Sequence, residues 1–287
     1  MSAPLPDRDG LGPTRIRLRG GAVLVELADR FGEGAATKVL AGEVVCANGT
    51  VVEASTVLPP GAVVYLYRDL PDEVPVPFEM PILHRDNDIV VVDKPHFLAT
   101  MPRGGHVVQT AVVRLRRELG LPELSPAHRL DRLTAGVLLF TVRREVRGAY
   151  QTLFAEQKTR KTYLARATGT PTVELPAVVS SRIIKVRGQL QAYEEPGDPN
   201  AETYVERLPG GLYRLTPRTG RTHQLRVHMA SLGVPIDNDS LYPHVIEVAA
   251  DDFTRPLQLL AQTLEFEDPL SGEPRRFTSG RALLAGT

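Results

Sequence analysis

The residues best suited to chemistry lie in two short stretches. The first is His128-Arg129-Leu130-Asp131-Arg132-Leu133-Thr134-Ala135-Gly136, which runs directly into the apolar segment Val137-Leu138-Leu139-Phe140. A charged loop ending in glycine and entering a buried strand can hold a reactive side chain at the mouth of a cleft. Asp131 stands between Arg129 and Arg132, and nearby cations keep a carboxylate ionised, as a nucleophile must be. By itself this pattern also fits a solvated surface loop.

The second stretch, Thr219-Gly220-Arg221-Thr222-His223-Gln224-Leu225-Arg226-Val227-His228-Met229, concentrates arginine, histidine and glutamine. Read as a helix over 222–232, it places Thr222, Leu225, Arg226 and Met229 on one face. Arg226 then points inward and needs a carboxylate partner, for which Asp131 is the obvious choice. Thr219 and Gly220 would present backbone N–H groups at the helix start, a place suited to phosphate. The alternative reading is an ordinary capped amphipathic helix. Two histidines five positions apart do not converge on one metal and no third ligand is evident, so no metal site is expected.

These residues need a scaffold. The chain has 287 residues, 42% of them hydrophobic, enough for one large domain with a small appendage. Its apolar runs are too short to span a membrane, the N-terminus does not read as a secretory signal, and a single cysteine, Cys46, rules out an intramolecular disulfide and argues against a Cys-based zinc site. A cytoplasmic, monomeric protein without membrane association is expected. The formal net charge is zero, so any RNA contact must use a local patch.

Residues 13–70 mix helical and strand patterns: a helix over 26–40 interrupted at Gly32 and Gly34, a hairpin about Asn48-Gly49 with a tight primed turn, and a strand over 63–67. Three prolines within 71–77 mark a linker. The expected division is a small N-terminal module over 1–75 and a main domain over 76–287. In the latter, strands are expected over 89–93, 137–142, 162–167, 183–187, 203–208, 212–216 and 257–266, and helices over 107–119, 145–157 and 222–232. Several strands follow one another without a helix, which argues for an α+β fold: a mixed, largely antiparallel sheet with flanking helices.

The run HRLDRLTAG, then RKTYLA, then TGRTHQLRVHMASLGVPI resembles the RluA family of RNA pseudouridine synthases over about residues 80–245. The resemblance implies the pseudouridine synthase fold and an isomerase that needs no cofactor or metal. It implies structured RNA as partner, either large-subunit ribosomal RNA or transfer RNA. By the same resemblance Asp131 is the nucleophile, Tyr163 the active-site tyrosine, Arg226 the arginine paired with Asp131, and Arg129 the residue that helps extrude the target base. His128, Arg132, Thr134, Arg160, Lys161, Arg221, His223 and Gln224 complete the expected substrate-binding set. The N-terminal module faintly resembles the alpha-L RNA-binding module. Three departures stand out: Lys94-Pro95-His96-Phe97 has Phe where the family usually has Gly, Met101 stands where a His is common, and Ala135 replaces a usual Ser. A catalytically silent RNA-binding protein of this fold, and a hydrolase using Asp131 and His128, are the competing readings. The second would require a positioned water and usually a second carboxylate or a metal.

Overall fold

The computed structural model describes residues 3–284. They fall into two units, one reaching to Glu73 and taking in Gly104–Val108 and Val113–Pro122, the other comprising Val74–Arg103, Gln109–Val112 and the chain from Glu123 onward. The sequence places all of 76–287 in one domain. Most of the helix Ala111–Leu119 instead clusters with the front unit, an assignment that local periodicity cannot reveal.

In the front unit, Val23–Phe31 and Glu33–Leu40 form two helices separated at Gly32. Gly32 has φ 85° and ψ −179°, a backbone state open essentially only to glycine, so the break occurs there. Gly34 lies within the second helix and is tolerated. Val23, Leu27 and Val39 are buried against Val52 and Val64. Val63–Leu66 is the central strand of a three-stranded antiparallel sheet, flanked by Thr14–Arg17 and Val45–Cys46. The Asn48-Gly49 turn is not the expected two-residue primed turn. Cys46 N–H donates to Thr50 O at 2.8 Å and Gly49 N–H to Cys46 O at 2.9 Å, and only Gly49 of the pair has positive φ. This is the three-residue connection with a left-handed glycine at its end.

The rear unit is built on an eleven-stranded sheet. Its main path runs Tyr193–Glu195, Ala177–Ile184, Ala201–Arg207, Leu212–Pro217, Thr159–Arg166, Leu259–Glu267, Ala135–Thr141, Ile89–Lys94, Ile82–Arg85. Pro274–Thr278 adds to Leu259–Glu267, and Ser125–Pro126 adds to Ala135–Thr141. Every pairing among the described strands is antiparallel except that of Leu259–Glu267 with Ala135–Thr141. The fold is α+β with a mixed, largely antiparallel sheet.

Ile89–Lys94 and Ala135–Thr141 are buried along their whole length, as strands covered on both faces must be. The helix Arg147–Ala155 packs Tyr150 and Leu153 onto Val137, Leu139 and Phe266. The helix Gln224–Ser231 packs Leu225 and Met229 onto Val205, Tyr213 and Leu215. Six consecutive residues of this second helix, Gln224 to Met229, are buried. The one-face reading of 222–232 was therefore too narrow: Arg226 is inside because the helix is enclosed on most sides.

Gly136 couples the Asp131 loop to the sheet. It has φ 115°, and a Cβ there would stand 2.1 Å from the carbonyl oxygen of Ala261. The parallel pairing of Gly136 with Ala261 thus requires glycine, which explains the end of the LTAG run physically.

Candidate active site

Asp131 sits in the loop that precedes Ala135–Thr141. Thr134 N–H donates to the Asp131 carbonyl at 3.1 Å, closing a short turn, while Thr100 Oγ1 donates to Leu130 O at 2.8 Å and accepts from Leu130 N–H at 3.1 Å. Beneath the loop lies Lys94, fully buried. Its ammonium donates to the carbonyls of Pro95 (2.9 Å), Leu98 (2.7 Å) and Arg132 (3.4 Å). Three donors thus meet three acceptors, which ties two chain segments together. Burial pulls Lys94 down to about 7, and the Asp131 carboxylate opposes that pull.

Asp131 Oδ2 lies 3.8 Å from Nη1 of Arg226 and 4.0 Å from Nε2 of His223. The expected Asp131–Arg226 pair is therefore only the looser half of the arrangement. Arg226, 2% exposed, gives its tight bonds to Asp239: Nε to Oδ2 at 2.8 Å and Nη2 to Oδ1 at 2.5 Å. Asp239 also accepts the N–H groups of Leu241 (2.8 Å) and Tyr242 (3.1 Å). Burial works against the charge on Arg226, but the Asp239 bonds outweigh it and its pKa is raised.

His223 has φ 59° and forms the N-cap of Gln224–Ser231. Its Nδ1 lies 2.9 Å from Tyr242 Oη. That hydroxyl accepts from Ala192 N–H at 2.7 Å and donates to Ala192 O at 2.8 Å. The hydroxyl proton is thereby used, so Nδ1 of His223 carries the proton and Nε2 is the atom turned to Asp131. Burial holds His223 below the ordinary imidazole range, with Asp131 pulling the other way.

Tyr163 enters from Thr159–Arg166, opposite Leu215 on one side and Ala261 on the other. The register with Leu259–Glu267 slips between Thr162 and Tyr163, where Gln262 is the extra residue; bulges of this kind re-aim side chains beside active sites. Burial, then the charge of Asp131, pushes the Tyr163 phenol well above its usual range, so it stays a neutral donor.

Asp131, Tyr163, His223 and Arg226 line one cavity of about 600 Å³, with Lys94, Asp239 and Tyr242 behind its wall. Of the residues singled out from sequence, His128, Arg129, Asp131, Thr134, Lys161, Tyr163, Arg221, His223, Gln224 and Arg226 border it, and Arg132 and Arg160 do not. Arg160 lies on the opposite face of its strand from Lys161 and Tyr163, 3.7 Å from Glu265. Arg132 is half-buried outside the lining.

Some lining residues are already committed within the protein. Gln224 binds Thr219 Oγ1, Arg221 N–H, Glu202 O and Thr203 Oγ1, and so organises the 219–221 turn. The helix begins at Gln224, not at Thr222, so Thr219 and Gly220 are not its first turn. His128 stacks on Phe154 with centroids 4.4 Å apart, and its Nε2 accepts from Leu139 N–H at 3.1 Å. Burial, helped by Lys161, lowers it to about 3. Its Nε2 lone pair is taken by the Leu139 N–H and its basicity is low, so it is poorly suited to serve as the base of a hydrolase. Sequence reasoning missed Asp239, Tyr242 and Lys94 as parts of this site.

Comparisons with known proteins identify the family. The profile of the RNA pseudouridylate synthase family matches residues 88–231. The chain is 36% identical over 179 residues to human pseudouridylate synthase RPUSD2, covering 60% of this chain but 33% of that protein. It thus spans about a third of the length of that relative. It is 32% identical over 208 residues to the dual-specificity RNA pseudouridine synthase RluA of Yersinia pestis, covering 69% of this chain and 97% of that one. The solved structure of human RNA pseudouridylate synthase domain containing 4 superposes with a TM-score of 0.55 at 25% identity, over 71% of this chain and 88% of that one. The family profile, the near full-length match to the Yersinia protein and the shared architecture place this chain in the RNA pseudouridylate synthase family, on its RluA branch.

Proposed function

We propose that this chain isomerises uridine to pseudouridine in structured RNA, large-subunit ribosomal or transfer RNA, and that it does so as a monomer with Asp131 as the nucleophile. The observation that carries this reading is Asp131 itself: a partly exposed carboxylate on the wall of the cavity, 3.8 Å from a buried arginine. In the reaction the N1–C1′ bond breaks, Asp131 holds or assists C1′, the uracil turns, and C5–C1′ forms. The proton lost from C5 is balanced by the proton gained at N1, so the product is an isomer. A base stacked in folded RNA must be extruded first; Arg129, exposed at the cavity edge, suits the vacated space, and the Tyr163 ring suits the extruded base.

The front unit fits the role of an RNA-contacting appendage, with Arg15, Arg17 and Arg19 exposed along its first strand and the following turn. Release of tritium from C5-labelled uridine in RNA tests the main reading. Asp131→Asn preserves shape and removes the anion; it should fold normally and release no tritium. Release within tenfold of wild type by this variant removes Asp131 from the chemistry.

A further inference from the structure

We propose that Lys161, Gln157 and Gln151 form a subsite for a nucleotide flanking the target uridine, with Lys161 on its phosphate and the two amides on its base. This rests on the RNA reading above and specifies how that cavity holds its substrate.

Gln157 supplies the first observation. It follows the helix Arg147–Ala155 and has φ 57°. Its N–H donates to Phe154 O at 3.3 Å, and Lys158 N–H donates to Leu153 O at 2.8 Å. This is the left-handed helix ending that glycine adopts without strain. A glutamine there carries strain, and a strained residue on a cavity wall points to use of its side chain. Gln157 and Gln151 are exposed, both border the cavity, and among the described residues neither amide bonds to a protein group.

Lys161 is the second. It is half-buried, lies on the same strand face as Tyr163 and so about 6–7 Å from it along the strand. No carboxylate or other acceptor among the described residues engages its ammonium, and burial lowers its pKa. Asp131 is the one acid among the residues that line the cavity. A partly desolvated cation without an internal counter-ion is completed by an anion from outside.

The third is size and shape. A cavity of about 600 Å³ holds considerably more than one pyrimidine, and the stacked rings of His128 and Phe154 belong to the same lining as Gln151 and Lys161. An ammonium, two amides and a flat aromatic surface together match phosphate, base edge and base face.

The probe is C5-tritiated total RNA from a strain lacking this protein, with modified positions mapped by carbodiimide and affinity measured by filter binding over a salt series. Gln157→Gly should raise Tm, because strain is relieved, and yet raise KM about tenfold and broaden the nucleotides accepted beside the target. A structural role alone would move stability and function together. Lys161→Gln should weaken binding and reduce the slope of log affinity against log salt by about 0.7, the signature of one lost phosphate contact on a single strand. An unchanged KM and flanking preference in Gln157→Gly, or an unchanged salt slope in Lys161→Gln, overturns the subsite. If the wild-type protein modifies no uridine, the proposed function fails on its own. The salt slopes of wild type and Lys161→Gln then still decide whether the subsite takes an RNA phosphate.

Discussion

Arg226 commits two guanidinium nitrogens to Asp239, at 2.8 and 2.5 Å, and approaches Asp131 only with the third, at 3.8 Å. The two carboxylates therefore divide the work. Asp239, its side chain fully buried, neutralises and aims the arginine, while Asp131 remains available at the cavity wall. Removing one member of a buried pair leaves an uncompensated charge and typically costs about 3–5 kcal/mol. Asp239→Ala should show that loss in a denaturant titration and should lose activity with it. Asp131→Ala should unfold near the wild-type midpoint. Arg226→Met combined with Asp239→Ala should recover part of the stability, whereas combining Arg226→Met with Asp131→Ala should not. Equal stability losses for the two aspartates would mean that Arg226 is shared between them and that the division of work fails.

Three histidines give the fold a defined acid limit. Burial lowers His128 to about 3, and His96 and His228 to about 4. His96 Nδ1 donates to Leu133 O at 2.7 Å, and His228 bridges Ser181 Oγ and Thr203 Oγ1 at 3.1 and 2.9 Å. An unfolded histidine titrates near about 6.5. Between that value and the folded value the unfolded chain binds more protons, so stability rises with pH there. The stabilisation is complete above about pH 6.5 and is lost progressively as pH falls toward 4. Tm measured from pH 7 to 4 should fall steeply, and His228→Gln should flatten the slope even if it lowers Tm at pH 7. A slope unchanged in that variant would mean that His228 titrates alike in both states.

The parts of the site that could be read from sequence are those concentrated in short stretches. Asp131, Tyr163 and Arg226 each sit among motif neighbours, and all three border the cavity. Asp239 and Tyr242 lie past the helix in Ile236-Asp237-Asn238-Asp239-Ser240-Leu241-Tyr242, where the acids read as turn residues. Nothing local marks which of Asp237 and Asp239 is turned inward. Lys94 was equally opaque, because its role depends on carbonyls from two separate segments. Arg160, expected as a phosphate contact, does not border the cavity. Side chains alternate along a strand, so a face that carries Tyr163 carries Lys161 and excludes Arg160. The strands Ile82–Arg85, Tyr193–Glu195 and Pro274–Thr278 escaped notice because they are short or carry charges; their pairing is decided by neighbours in space.

Tyr163 should separate binding from turnover. Its phenol is raised by burial and by Asp131, so it donates a hydrogen bond and does not ionise in the working range. Tyr163→Phe keeps the ring, whose stacking on a base contributes roughly 1–3 kcal/mol in comparable sites. The variant should bind RNA within about twofold of wild type and release tritium at least a hundredfold more slowly. Tyr163→Ala should lose both. The wild-type rate should show no phenol titration up to pH 10. A rate that changes tenfold across pH 8–10 and becomes flat in Tyr163→Phe would show that the phenol ionises in function.

Phe97 tests how this chain accommodates its departure from the family pattern. The residue has φ 66°, a conformation that glycine reaches freely and that costs other residues roughly 1–2 kcal/mol. Its ring is nevertheless buried, 5.3 Å from Phe253 and 6.1 Å from Phe78 between centroids. Removing a buried phenylalanine side chain typically costs about 3–5 kcal/mol. The ring contacts therefore outweigh the backbone strain, and Phe97→Gly should destabilise by about 1–4 kcal/mol, the difference between the two effects. Phe97→Ala loses the same ring but keeps a side chain at positive φ, so it should be the less stable of the two by about 1 kcal/mol. Denaturant midpoints should fall in the order wild type, Gly, Ala. A glycine variant more stable than wild type would mean that the aromatic cluster contributes less than the strain it holds, and an alanine variant as stable as glycine would mean that the backbone at this position carries no strain.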